Sequence, residues 1–398
     1  MNVLDPNKAA HVTQNQAESC DVVDGVVLYD KKYVLLNTLA VKNGSATLVA
    51  GSDYEAAHED DGSVAITLLS TAAKEASSLT VSSTSLKPSG VTAADIVGGV
   101  DASTGKETGL ELIRQIYPTL SMVPGLILAP GWSHTPTVAA ALQAKTEGIN
   151  GNFDCVTYLD ISTDPEEDGA EVYTSVKGAK EALGASSAHA AALWPMVAVG
   201  EKKYYFSAMF AALTAYTDAN NADVPYESPS NKDLRITATV LKDGTTVALD
   251  QQQANDVLNA NGVITAINAN GFKSWGNNTA AYPSTTDPKD RWWAVRRFFD
   301  WDGNNFIQTY FQKVDKPGNK RLIQSIVDSQ NIIGNGYVAR DYCAGYRVEF
   351  RSDENPVTNL LAGHLTVHTY LAPYIPAEYI ENIREYDVDA LESAIGGE

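Results

Sequence analysis

Apolar residues switch between helical and strand spacing from about residue 95 to residue 220. The first such helix, 107–120, carries Leu110 and Ile113 on one face, and a continuous apolar run follows at 123–129. The alternation continues with predicted helices at 137–147, 170–183 and 205–216 and predicted strands at 155–160 and 191–199. Short apolar runs between helices are typical of parallel strands buried on both faces, so this part predicts an α/β layer.

The stretch from 22 to 81 has a different pattern, with short β-type runs separated by turn residues. Asn43-Gly44 and Asp61-Gly62 are dipeptides that accept positive φ and close hairpins. The Ser- and Thr-rich stretch 77–89 is typical of an edge strand that runs into a linker. We predict a small all-β domain here.

Beyond residue 220 the pattern is mixed. We predict a strand around 293–298, helices at 304–313 and 320–333, and strands at 346–351 and 365–371. The fold class is therefore a multidomain α+β or α/β chain. The predicted boundaries are a lead segment at 1–20, the all-β domain at 21–92, an α/β core at 93–372 and a C-terminal arm at 373–398.

Composition supports a folded chain and narrows its partners. The 398 residues are 44% hydrophobic, yet no apolar run approaches the roughly 20 residues that span a bilayer. No secretory signal is visible, so we expect a cytoplasmic origin and no membrane insertion. The three cysteines are widely spaced, which disfavours disulfides and a zinc site. A formal net charge of −20 disfavours nucleic acid, so we expect protein partners.

The charge is unevenly distributed along the chain. Residues 287–351 contain 11 Lys and Arg against 8 Asp and Glu, net +3, whereas 376–398 contain 1 Arg against 7 acids, net −6. Opposite charges on one chain suit head-to-tail association of identical copies. A simply solvated acidic tail is the alternative interpretation.

Three motifs resemble catalytic or ligand sites and fail on their details. Ser133 follows an apolar strand, but Thr135 replaces the last Gly of a G-x-S-x-G nucleophile elbow. Thr104-Gly105-Lys106 lacks the spacing and the Ser or Thr of a phosphate-binding loop. His364 and His368 lie in a strand pattern, where they would be about 13 Å apart, too far for one zinc ion. We therefore predict no catalytic residue, no cofactor and no metal.

Tryptophan and arginine cluster between residues 275 and 301. Four of the six tryptophans lie there, with three arginines that could pair with acids within or between subunits. We predict that the tryptophans pack in a core. The candidate core and interface residues are Trp275, Arg291, Trp293, Arg296 and Arg297.

The C-terminal segment combines apolar and acidic residues in an extended pattern. Pro373 and Pro376 indicate a chain that leaves a folded core, and a short apolar strand follows in an acidic setting. An isolated strand of this kind is stabilised by adding to the edge of a sheet. The candidate residues for such an inter-subunit arm are Tyr379, Ile380, Ile383, Tyr386 and Val388. The alternative is that the strand folds back on its own domain.

An ordered set of short motifs runs through the last third of the chain: NGFKSWGNNT at 270–279, RWWAVRR at 291–297, VDKP at 314–317, LIQSIVD at 322–328, NGYV at 335–338, LAGHL at 361–365 and PYIPAE at 373–378. This order closely resembles the contractile tail sheath proteins of bacteriophages and phage-derived contractile particles. The resemblance covers 96 to the C-terminus well and the β region more loosely. Residues 2–8 resemble a segment inside longer members, so we expect a chain that lacks the N-terminal arm.

The resemblance implies a structural function. Copies are expected to form stacked hexameric rings around a tail tube protein and to contract, with baseplate and tail-terminator proteins as further partners. It implies that the C-terminal arm adds to a sheet of a neighbouring subunit, and that the protein occupies the virion tail after assembly in the host cytoplasm. Two other functions stay open at this point. One is an α/β hydrolase-like enzyme using Ser133, His134 or Asp160, and the other is a β-domain adhesin.

Overall fold

The computed structural model describes residues 3–396, and the chain divides into two compact units, Met1–Gln115 and Ile116–Glu398. The first unit is built mainly from strands: β1 Val12–Asp21, β2 Val26–Tyr29, β3 Ala40–Asn43, β4 Ala46–Thr47, β5 Tyr54–His58, β6 Val64–Leu68, β7 Ser78–Leu86, β8 Gly99–Val100 and β9 Glu107–Thr108. Its two α-helices are α1 Thr71–Lys74 and α2 Ala93–Val97.

Two sheets of the first unit share one core. One sheet has the order β1-β7-β3-β4 and the other has the order β2-β6-β5. Alternate residues of their strands point inward, and the most deeply buried are Val27, Tyr29, Val41, Val64, Ile66 and Val81. Strand β1 begins inside the segment that the sequence assigned to a lead, because its polar residues hide a strand that pairs with β7 from Val12–Leu86 to Asp21–Ser78. The four predicted domain boundaries stay predictions.

The second unit mixes helices and strands, as predicted. Its helices are α3 Ile116–Leu120, α4 Pro136–Ala144, α5 Val176–Leu183, α6 Phe206–Asn220, α7 Gln251–Gln253, α8 Pro288–Arg291, α9 Trp293–Tyr310, α10 Lys320–Ala339, α11 Val357–Leu361 and α12 Val388–Ile395. Its strands are β10 Leu126–Ile127, β11 Val156–Asp160, β12 Ala190–Leu193, β13 Met196–Val199, β14 Lys202–Tyr204, β15 Ala238–Val240, β16 Val263–Asn268, β17 Phe272–Trp275, β18 Cys343–Glu349 and β19 His368–Pro373.

A five-stranded sheet forms the centre of this unit, in the order β10-β11-β12-β16-β17. The first four strands are parallel and β17 is antiparallel. Every residue of β11 and β12 is buried, as expected for parallel strands covered on both faces. Side chains of β11, α6 and α9 meet in one core, in which the ring centroid of Tyr158 lies 5.0 Å from that of Phe210 and 5.2 Å from that of Trp293.

The predicted strand at 293–298 is wrong, because this segment begins helix α9. Its run of aromatic and apolar residues favours a strand, but Arg296 and Asp300 form an i, i+4 ion pair at 2.7 Å that only a helix brings together. The predicted strand at 191–199 is two strands, β12 and β13, which belong to different sheets. These differences leave the mixed α/β class unchanged.

The C-terminal part of the second unit is a hairpin packed on a long helix. Strands β18 and β19 pair in register from Glu349–His368 to Cys343–Pro373, and they pack on α10. A buried network joins α9, α10 and β18. The Tyr346 hydroxyl donates to Asp302, 2.9 Å from Oδ2, and accepts from Gln330 Nε2 at 2.6 Å. Burial raises the pKa of the Asp302 carboxyl to about 6.

Replacing Gly334 by alanine should destabilise the second unit. A Cβ at this position of α10 would lie 2.0 Å from Cδ1 of Tyr346, so the ring that closes the buried network must move. We expect a loss of about 1–3 kcal/mol in the free energy of unfolding, measured by urea denaturation. The matched control is Gly336→Ala on the same helix. Its Cβ would meet only the flexible end of Arg340 at 3.6 Å, so the control should be neutral or gain up to about 1 kcal/mol. Equal losses in both variants would contradict this account.

The stability of the fold should fall between pH 4 and pH 6 through Asp302. Its pKa is raised on folding, so the folded state holds a proton in this interval that the unfolded state has released. Asp302→Asn should remove this dependence and stabilise the protein at pH 7 by up to about 3 kcal/mol, measured by urea denaturation at each pH. Asp328→Asn removes a charge from the exposed face of α10 and should keep the parent's slope. An unchanged slope in Asp302→Asn would refute the assignment.

Candidate functional site

The C-terminal arm leaves the folded unit directly after β19. Its first residues are held by the carboxylate of Glu378. Arg291 Nη2 lies 3.4 Å from Glu378 Oε2, and Asn277 Nδ2 donates to Glu378 Oε1 at 3.3 Å. We call this contact the arm clasp, meaning Glu378 with Arg291 and Asn277. It fixes the point from which the rest of the arm extends.

The arginine of the arm clasp is fixed by its own neighbours. Its guanidinium carbon lies 4.4 Å from the ring centroid of Tyr282 and 4.1 Å from that of Trp292, so the cation contacts two aromatic rings. Its Nε donates to Asn278 Oδ1 at 3.0 Å. Arg291 is therefore held in place before it meets Glu378.

A groove of about 810 Å³ lies beside the arm clasp, between the core and residues 374–379. Its lining is rich in amides and aromatic rings, including Tyr226, Asn255, Asn259, Trp275 and Tyr282. Trp275 Nε1 donates to Asn255 Oδ1 at 2.6 Å, so this predicted residue borders the groove. The spacing of apolar residues along the chain gives no sign of this groove, because its lining is largely polar and comes from distant segments.

The arm beyond the clasp is exposed. Tyr379 and Ile380 are 81% and 86% exposed, and Ile383 and Tyr386 are similarly open. In the single chain, residues 374–387 form neither a strand nor a helix, so the predicted strand is not present. Val388 instead begins helix α12, because Asp387 caps it by accepting from the Ala390 amide at 2.9 Å.

The other predicted core and interface residues lie on or beside α9. Trp293 is 1% exposed and packs on Tyr158. Arg296 pairs with Asp300 at 2.7 Å and with Asp290 at 3.3 Å, and Arg297 pairs with Asp218 through two hydrogen bonds. Burial lowers the pKa of Arg297, but the Asp218 carboxylate outweighs it and raises that pKa overall. These arginines therefore meet acids of their own subunit.

The polar residues of the hydrolase hypothesis form a buried hydrogen-bond network. Ser133 Oγ donates directly to Asp160 Oδ2 at 2.8 Å, and Ser207 donates to Asp160 through its amide at 2.8 Å and its hydroxyl at 2.5 Å. His134 stacks on Tyr205 and faces Glu167 at 3.4 Å. Burial raises the pKa of Asp160. Because the serine proton goes to a carboxylate in the interior, this arrangement ties α6 to the end of β11 and does not activate a nucleophile.

Two properties of the described residues limit the chemistry of the site. Among residues 3–396, no group of three or more His, Cys, Asp or Glu side chains is placed to hold a metal ion. Within the same range, every helix is too short or too polar to cross a membrane. His368, one of the two histidines at i, i+4 spacing, instead pairs with Glu354 at 2.7 Å.

Comparison with known proteins identifies relatives across nearly the whole chain. The tail sheath protein of Burkholderia phage BcepMu is 26% identical over 386 residues, which span 94% of this chain and 78% of that protein. The tail sheath protein of Escherichia phage P2 is 25% identical over 301 residues, spanning 72% of this chain and 69% of that protein. No family model matches the chain.

Solved structures with a similar fold come from contractile particles. The sheath of an extracellular contractile injection system, PVC, in its contracted state has a TM-score of 0.57 at 18% identity, covering 75% of this chain and 79% of the other. A chain of the anti-feeding prophage baseplate has a TM-score of 0.55 at 18% identity, covering 73% and 75%. This likeness concerns the fold.

These relatives are structural proteins of phage tails, and they give no support to the hydrolase alternative. The prediction that this chain is not an enzyme is confirmed by them. The resemblance first found in the motifs of the last third extends over the length of the chain. The chain belongs to the contractile tail sheath proteins.

Proposed function

We propose that the chain is the repeating subunit of a contractile sheath, assembled as stacked hexameric rings around a tail tube. Contraction of this lattice drives the tube through a cell envelope. Tail tube, baseplate and tail-terminator proteins are its other partners, and assembly takes place in the host cytoplasm. The observation that carries the proposal is the exposed arm, in which apolar side chains stand open to solvent although they follow a fixed anchoring point.

The finer architecture follows the same logic. We infer that the core at 93–372 builds the lattice, that the all-β domain at 21–92 faces outward, and that residues 373–398 link neighbouring subunits. Exposed Tyr379, Ile380, Ile383 and Tyr386 are costly to leave in water, so an assembled partner that covers them lowers the free energy of the arm.

A two-stranded sheet offers an edge to which an arm can add. In the described part of the chain, β18 and β19 pair only with each other, so each has a free outer side. Arg347 stands beside this hairpin with its guanidinium 3.9 Å from the Tyr370 ring centroid, and its side chain is 56% exposed. An acidic arm from a neighbouring copy therefore meets a positive charge at this edge.

A chain ending at Pro376 should fold but not assemble. We expect tubes or rings of the full chain in negative-stain electron microscopy at high concentration, and their absence in the truncated chain, because the arm supplies the inter-subunit contact. The free energy of unfolding of the truncated chain should match the parent's, since residues 377–396 are exposed. Tubes formed equally by both chains would exclude the arm as the link. A full chain that stays monomeric at every concentration, with and without a tube protein, would overturn the function.

Glu378→Gln should release the first residues of the arm. The ion pair is partly exposed, at 25% for Arg291 and 32% for Glu378, so its loss should cost about 0.5–1 kcal/mol. We expect chymotrypsin to cleave after Tyr374 about 2–5 times faster than in the parent, as followed by mass spectrometry. Glu381→Gln removes the same charge three residues further along the exposed arm and should leave this rate unchanged. Equal rates in all three chains would contradict the arm clasp.

A further inference from the structure

The turn between α9 and α10 presents apolar and basic side chains together. Phe311 and Val314 are 64% and 65% exposed, and Lys316, Lys320 and Arg321 are also exposed around them. Leu365 extends this surface, since a Cβ on Gly318 would lie 3.5 Å from its Cδ1. We call these residues the turn patch, meaning Phe311, Val314, Lys316, Lys320, Arg321 and Leu365. Asp315 is the acid within it.

Helix α12, at the far end of the arm, has the opposite character. Val388, Leu391 and Ile395 lie three and four residues apart and therefore share one face, and all three are exposed in the single chain. Asp389 and Glu392 lie three residues apart on a second face. Eight residues are too few for a stable helix in water, so α12 needs a surface to pack on.

We propose that α12 of one copy docks on the turn patch of a second copy. This inference rests on the proposed sheath function and adds a second contact to the arm. The apolar stripe of α12 would cover Phe311, Val314 and Leu365, while its acids would meet Lys316, Lys320 and Arg321. Both surfaces are exposed on the same chain, so each copy donates one helix and accepts one, a head-to-tail contact that can repeat through a lattice.

The energetics favour a contact that works only together with the rest of the arm. Three half-covered aliphatic side chains contribute a limited free energy, and ordering the short helix opposes them. Once the arm has paired elsewhere on the neighbour, however, α12 is tethered within a few residues of it and docks at a high effective concentration. The charge pairs set the direction of the helix and make the contact sensitive to salt.

A mixed disulfide between two singly substituted chains tests the contact. One chain carries Val314→Cys, and a size-tagged chain carries Leu391→Cys, both in a Cys20→Ser background because the other two native cysteines are buried. Oxidation of the mixture should give the mixed dimer as the main product. A Val172→Cys chain, which presents a similarly exposed valine before α5, should give at least about tenfold less with the same partner. Equal yields from both pairs would overturn the proposal.

A charge exchange gives an independent readout that does not depend on cysteines. Lys316→Glu with Lys320→Glu should slow assembly of the full chain about tenfold in light scattering, and Asp389→Lys with Glu392→Lys should restore it. Lys177→Glu, a single reversal on the exposed face of α5, should have little effect. Absence of rescue would exclude the proposed pairing. In the Val314→Cys chain, protection of the introduced thiol from maleimide only when a different protein is added would overturn the proposal and assign the turn patch to that protein.

The two proposals fail in different ways. If the full chain forms no tubes or rings but the mixed disulfide appears at high concentration, the docking contact stands and the sheath proposal falls. If tubes form in reducing buffer from both cysteine chains and oxidation gives no mixed dimer, only the docking contact is wrong.

Discussion

The seating of α9 on the central sheet governs most of the second unit. Trp293 fixes the start of this helix against Tyr158 of β11, and its ring is almost completely buried. The same helix then carries Arg297 to Asp218 on α6, and Asp302 to Tyr346 on β18. Immediately before it stand Trp292 and Arg291, which hold the arm. One helix therefore positions the sheet, the C-terminal hairpin and the root of the arm relative to one another.

Ion pairs along α9 explain why it is rigid enough for this role. Arg296 and Asp300 are 11% and 5% exposed, and each is paired within the subunit. Removing one partner of such a pair leaves a buried charge uncompensated, which costs far more than an exposed pair contributes. The helix is thus tied to its surroundings at several points by contacts that cannot be exchanged singly. A subunit built this way moves as a body, and the flexibility resides in its arm.

Sequence patterns predicted the elements whose burial is nearly complete and missed those decided by particular partners. The apolar run at 155–160 predicted β11 almost to the residue, because a parallel strand buried on both faces has no polar interruption. The segment at 293–298 was misread because aromatic residues serve helices and strands alike once they are buried. The arm clasp was beyond prediction, since Arg291 and Glu378 are separated by 87 positions and neither is unusual locally. The family motifs were more informative than local patterns, because they report the whole arrangement at once.

The junction of β19 with the arm has a mechanical consequence. Hydrogen bonds between β18 and β19 run perpendicular to the strands, and the arm continues from the end of β19 at Pro373. Tension applied to the arm along the strand axis would load the paired residues from Glu349–His368 to Cys343–Pro373 in shear, all at once, and would not peel them apart in sequence. Tyr346, lodged against Gly334, would pass that load from β18 into α10. The hairpin is thus suited to transmit a pull between subunits without unravelling.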